Sequence, residues 1–222
     1  MTGRVRACSG VIGRAVRGVA FTLDASAKTR RTALGLFALL AYLLVGQAID
    51  PGFTDYWWYQ LLQTGATLAV VLTLETVFVR EGGLAWQTHA IVLATTYADV
   101  GGTTNGLYDI FDPYDKIVHF WSGAAFAAGV YEVFRLLERR GVIALTPARR
   151  VAAPVAVSFS IAGIAWEMYE QLSDVVFNSG RVQGRWDTIH DLVFDAGGAM
   201  AAVAVLRARE AVRGRAPRRS TA

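Results

Sequence analysis

Residues 115–137, DKIVHFWSGAAFAAGVYEVFRLL, open on an acid, a lysine and a histidine and then run apolar to Leu137. The apolar part, Ile117–Leu137, matches the roughly 20 residues that a helix needs to cross the hydrocarbon of a bilayer. Gly123 and Ala124 let a second helix approach closely. The stretch therefore reads as a membrane span with ionisable groups at its entrance.

Working outward, five more apolar runs recur. The first, Ala33–Ile49, is stopped by Asp50-Pro51-Gly52, and the second covers about Trp58–Val79. Tyr56-Trp57-Trp58-Tyr59 stands before the second run as an aromatic belt of the kind found at the membrane interface. The third, roughly Leu84–Ala98, is short and polar, and its ends are the least defined. A glycine-rich loop, Gly101–Gly106, is expected after it. The fifth and sixth runs are Val151–Leu172 and Thr188–Leu206. No internal repeat is visible.

Composition agrees with spans. Of 222 residues, 54% are hydrophobic and 18% charged, against about 45–50% and ~25% in soluble domains. Mean hydropathy is +0.35. The expected fold is all-α: a polytopic, multi-pass membrane helical bundle of about six transmembrane helices. Its parts are a basic segment, 1–32, a six-span domain, 33–206, and a basic tail, 207–222. Within the first part, about Val11–Leu23 reads either as an amphipathic helix on an anionic membrane face or as a disordered tail. Arg14 and Arg17 interrupt any secretory signal core there. Cys8 is the only cysteine, which excludes an internal disulfide and a thiolate metal cage.

Charge sets the orientation. All Lys and Arg except Lys116, Arg181 and Arg185 fall on one side of the alternating spans. By the positive-inside rule that side is the cytoplasm, so both termini lie there. The acids have the opposite bias: Asp24, Glu75, Glu81, Glu132, Glu138 and Glu210 are the only ones on the basic side. The pI near 9.5 is then an orientation and lipid-contact signal, and nucleic acid is excluded as a partner. The expected location is the bacterial cytoplasmic (inner) membrane.

The acids and histidines of the last three spans fall at the same ends of those spans. Asp115 and His119 are four apart and share a helical face, a carboxylate-oriented imidazole suited to proton transfer or metal ligation. Asp112 reads as a helix cap. Glu167 and Glu170 are three apart beside Trp166, and two carboxylates so close in an apolar setting repel until they share a proton or a cation. Asp187, Asp191 and Asp195 recur at helical spacing with His190 beside them. Asp195, about two turns inside the sixth span, needs Lys116, His119 or a bound cation as partner. Ionisable groups at such depth are costly and mark function.

The expected catalytic set is His119, Glu167, Asp191, Asp195, Asp115 and Lys116. The expected metal-binding set is His119, Glu167, Glu170, Asp187, His190, Asp191 and Asp195. Elsewhere, Glu75 is expected to pair with Arg80, Glu132 with Arg135, and His89 to pack. Trp57, Trp58 and Trp86 read as interface anchors. No phosphate loop, His-Glu-x-x-His or Gly-x-Ser-x-Gly is present.

At Asp115-Lys116-x-x-His119-Phe120 the chain resembles the VanZ-like family, which is linked to glycopeptide resistance. That family also has a later Asp-Val-x-x-Asn-x-x-Gly; here the element runs from Asp191 to Gly198, with Asp195 in place of Asn. A closer resemblance is to the YjdF-like inner-membrane family. It rests on Tyr114-Asp115-Lys116, on Glu167 and Glu170, and on Trp186-Asp187-Thr188 followed by Asp191. The likeness covers about Asp112–Gly198 and implies an integral inner-membrane protein with a polar intramembrane site.

Three functions fit these features. One is an enzyme, a hydrolase or transferase on an envelope lipid or lipid-linked substrate, using a divalent cation (Mg²⁺, Mn²⁺ or Zn²⁺) or acid–base chemistry. Another is a proton- or cation-coupled transporter, for which six spans without a repeat leave room only as a homo-oligomer. The last is a structural or accessory membrane protein whose polar groups lock helices together.

Overall fold

Where an apolar run exceeds a bilayer's thickness, the backbone must satisfy its own polar groups, and helices result. The computed structural model describes residues 27–50, 52, 57–177, 182 and 184–215. They form helices α1 (Ala27–Ile49), α2 (Trp57–Val77), α3 (Trp86–Thr104), the single turn α4 (Leu107–Ile110) and α5 (Tyr114–Arg139). After these come α6 (Arg149–Ser158), a π-helical turn (Phe159–Ala165), α7 (Trp166–Phe177) and α8 (Asp187–Arg215). The described residues contain no strand, and the chain is an all-α membrane helical bundle. Val11–Leu23, Asp55, Tyr56, Arg181 and the end of the basic C-terminal tail, 216–222, lie outside the described residues.

Among the described residues, four helical stretches are long and apolar enough to cross a membrane: Ala27–Ile49, Tyr114–Arg139, Arg149–Val176 and Asp187–Val212. Only 22% of the most apolar window of Arg149–Val176 is buried, so most of its apolar surface is left for lipid. Helices α2 and α3, of 21 and 19 residues, have the length of spans but carry more polar side chains. Gln60, Gln63, Thr64 and Glu75 interrupt α2; Gln87, Thr88, His89 and Asp99 interrupt α3.

The fold divides into two compact units at Leu93–Ala94. In the first, α1 buries Thr29, Thr32, Leu36, Leu39 and Leu43, an alternating three- and four-residue stripe that seats it on α2. A 3₁₀ turn at Val79–Glu81 and two glycines then reverse the chain. Gly83 has φ +62°, and a Cβ there would press on the Glu75 carboxylate, so only glycine suits the position.

In the second unit α5 and α8 run parallel. Lys116 meets Asp187 near one end, Ala127 and Tyr131 pack with Ala199 and Val203 midway, and Arg135 ion-pairs with Glu210 near the other. Glycine permits this crossing. A Cβ on Gly123 would strike the Asp195 carbonyl, and one on Gly198 the Phe120 carbonyl. Helix α6 returns antiparallel, anchored by Arg150 to Glu138 at 2.9 Å and by Ser158 Oγ donating to the Gly123 carbonyl at 3.1 Å.

One expectation is corrected here. Gly101–Thr104 is the last turn of α3 and not loop, because the Tyr114 and Tyr108 rings fill the space beside Gly102. Arg135 ion-pairs with Glu210 across two helices. The fifth run is helical throughout but not uniform. Pro154 removes one backbone donor within α6, and the π turn begins five residues later.

Candidate functional site: a buried carboxylate–imidazole cluster

The N-terminal ends of α5 and α8 come together, and their macrodipoles favour carboxylates in the first turns. Asp115 and Asp187 occupy those turns. No side chain caps α5, so Asp112 does not serve there. Asp187 instead takes Lys116.

Lys116 is the hub. Its Nζ lies 2.8 Å from Asp115, 2.5 Å from Asp187 and 2.7 Å from Asp191. An ammonium has three donors, and each meets a separate carboxylate. One turn deeper, His119 Nδ1 is 3.3 Å from Asp195 Oδ2. Its Nε2 lies 3.6 Å from Asp115 and 3.7 Å from Asp191, contacts of charge without hydrogen-bond geometry. Asp191 and Asp195 are each 1% exposed, and Glu167 is 4%. Such burial of charge is tolerated only with pairing or ligation.

The pairing is incomplete. Oε1 of Glu167 and Oδ1 of Asp195 are buried with no hydrogen-bond partner among the described residues. Glu167 reaches the cluster because the π turn feeds α7 with Gly163 facing inward, where a Cβ would sit 3.5 Å from Asp195 Oδ2. Two groups of ligand atoms come within 4.8 Å of one another: Asp115–His119–Asp191, and His119–Glu167–Glu170. The first already contacts the Lys116 ammonium. Two like charges ~4 Å apart repel by about 4 kcal/mol at an effective dielectric of ~20, and a divalent ion would double that. In the second group, Glu167 has no lysine or arginine against it among the described residues.

Glu167 also faces outward to a groove of about 580 Å³ between the π turn, α7 and α8. Ile164, Met168, Leu172, Val175 and Leu192 make its apolar wall, and Gln171 donates to Thr188 at 3.2 Å on its polar side. The groove lies within candidate spans.

The expected residues therefore separate by position. Asp115, Lys116, His119, Asp187, Asp191 and Asp195 form one connected cluster; Glu167 and Glu170 adjoin it through His119. His190 is exposed and belongs to neither ligand group. Reading the sequence missed the saturation of Lys116, whose partners Asp187 and Asp191 are remote in sequence. It also missed a second polar network, in the first unit. There Glu75 accepts from Thr29 at 2.7 Å and from the Leu84 amide at 2.6 Å, and approaches His89 at 3.1 Å and Lys28 at 3.8 Å, rather than Arg80. His89 also contacts Thr32 at 3.0 Å. The i, i+3 placement of Thr29 and Thr32 on the buried stripe of α1 was the available signal. Outside the spans, Tyr108 donates to Asp99 at 2.7 Å, and burial together with the Asp99 charge raises its phenol well above the ordinary range.

No curated protein and no solved structure matches the chain. Residues 32–211 match the family described as Predicted membrane protein (DUF2238), and the chain belongs to that family.

Proposed function

We propose that this DUF2238 member is a membrane-embedded enzyme, a hydrolase or transferase that uses acid–base chemistry on an envelope lipid or a lipid-linked headgroup. One observation carries the reading. Glu167 holds an unpartnered buried oxygen inside the acid–imidazole cluster, and the same residue lines the apolar groove. A lipid could thus lay a hydrocarbon chain against Met168, Leu172 and Val175 while its head reaches the carboxylates. The charge pattern supports an outer-face site. The opposite end of the second unit carries Arg135, Arg139, Arg140, Arg149 and Arg150, a cytoplasmic signature. With six spans and both termini inside, the cluster opens to the outer face of a bacterial inner membrane.

In this reading Nδ1–H of His119 donates to Asp195, which leaves a lone pair on Nε2. Nε2 takes the proton of the attacking water or hydroxyl, and Asp115 and Asp191 stabilise the imidazolium that forms. Lys116 holds those two carboxylates in place. Glu167 returns a proton to the leaving group. General acid–base help of this kind contributes roughly 10²–10⁴-fold.

The test is lipid conversion. Purified full-length protein in nanodiscs of bacterial lipid extract should change at least one lipid species seen by mass spectrometry. His119→Ala should slow that change by about 100-fold or more. A folded wild type that leaves every lipid unchanged sinks the reading. Proton uptake without lipid conversion would replace it with transport. Of Glu75, Glu132 and His89, the inner-half groups a proton path would need, Glu75 and His89 are already bonded to each other.

A further inference from the structure

We propose that His119, Glu167 and Glu170 bind a divalent cation, with Asp195 as the residue that orients the imidazole. This deepens the enzyme reading, on which the ion's purpose rests, and revises two roles in it. With Nδ1 on Asp195, the ion takes the Nε2 lone pair and a Glu167 oxygen, so that an ion-bound water replaces the imidazole as the source of the nucleophile. Binding is measured with no lipid substrate. Three observations converge. The ligand atoms of His119, Glu167 and Glu170 lie within 4.8 Å of one another, on helices held by the glycine crossing and the π turn. The buried Oε1 of Glu167 has no hydrogen-bond partner among the described residues, and neither has Oδ1 of Asp195. Oxygens so deeply buried need a proton or a cation.

Lys116 supplies the third. It pairs with Asp115, Asp187 and Asp191, and among the described residues no lysine or arginine pairs with Glu167. The cluster is thus divided: a lysine fills one half, and the other half is arranged for an ion taken from solution. Asp195 Oδ2 against His119 Nδ1 repeats the carboxylate–histidine pairing that fixes the ring of a metal-bound histidine. One imidazole with two carboxylates suits Zn²⁺ or Mn²⁺ better than Mg²⁺ or Ca²⁺, which prefer all-oxygen shells.

The experiment uses the full chain in detergent, loaded with Zn²⁺ or Mn²⁺ alone. Bound Zn²⁺ is counted by elemental analysis, and Mn²⁺ affinity is read by its spin-resonance spectrum. Wild type should bind one ion. Glu167→Gln should abolish binding, and Asp195→Asn should weaken it roughly 10–100-fold. Asp115→Asn and Asp187→Asn, on the lysine side, should bind as wild type does. Each variant is first shown to keep the wild-type elution volume and helical circular dichroism. A folded wild type without ion overturns the proposal. So does binding that survives Glu167→Gln, or that is lost in Asp115→Asn, which would place the ion beside Lys116. Lipid conversion has no part in these readouts. Ion binding without lipid conversion would defeat the enzyme reading and leave this one standing.

Discussion

Lys116 spends its three ammonium hydrogens on three aspartates, and this is the strongest local constraint in the second unit. Lys116→Met would leave Asp115, Asp187 and Asp191 packed together without their counter-charge. Removing one partner of a buried ion pair costs about 3–5 kcal/mol, so thermal unfolding in detergent should show a clear fall in midpoint. Pairing that change with Asp191→Asn should recover part of the loss, because one uncompensated charge goes with it. An unchanged midpoint in the single variant would show that the cage is solvated and energetically idle. At this scale the sequence was informative wherever partners share a helix. Asp115 with His119, Glu167 with Glu170, and Asp187 with Asp191 and Asp195 all follow from helical spacing. It was silent on Lys116 with Asp187 and on Glu75 with Thr29, because those contacts depend on which helices become neighbours.

Helix α5 crosses α8 so closely that backbone meets backbone, and the cluster exists because of that crossing. Gly198 and Gly197 test it as a pair. A Cβ on Gly198 would collide with the Phe120 carbonyl, whereas one on Gly197 comes no nearer than 3.8 Å to the Phe120 ring. Gly198→Ala should lower stability by about 1–3 kcal/mol, the usual cost of overpacking. Gly197→Ala should stay near wild type in the same unfolding measurement. Equal effects would mean that the helices ride apart in the membrane. Gly123 and Ala124 were recognisable beforehand as sites of close approach. The π turn was not. Phe159–Ala165 carries no residue that demands an extra residue per turn, and Pro154 is its only forewarning. The helical end of α3 was likewise hidden, since Gly101 and Gly102 favour a loop until the Tyr108 and Tyr114 rings pack beside Gly102.

At the scale of the whole molecule, the charge asymmetry of the second unit fixes a prediction about sidedness. In a Cys8→Ser background, Val142→Cys lies in the exposed turn after α5, and Arg185→Cys in the exposed turn before α8. A membrane-impermeant maleimide applied to intact cells should label Arg185→Cys and spare Val142→Cys. The reverse pattern would invert the proposed orientation. That the chain is an all-α membrane bundle was readable from sequence because spans are local: twenty apolar residues insert as helix whatever surrounds them. Orientation can be argued from sequence for the same reason, each loop contributing its own Lys and Arg. The identity of the acidic and imidazole residues, and the face each takes on its helix, were likewise determined there. Only the tertiary structure decided that Lys116 is saturated by three aspartates, that two carboxylate oxygens are buried without hydrogen-bond partners among the described residues, and that Glu167 also borders a groove. These depend on contacts between residues far apart in sequence, such as Lys116 with Asp191, 75 positions apart, and His119 with Asp195, 76 apart. Helical periodicity says which way a side chain faces but not which helix it will meet.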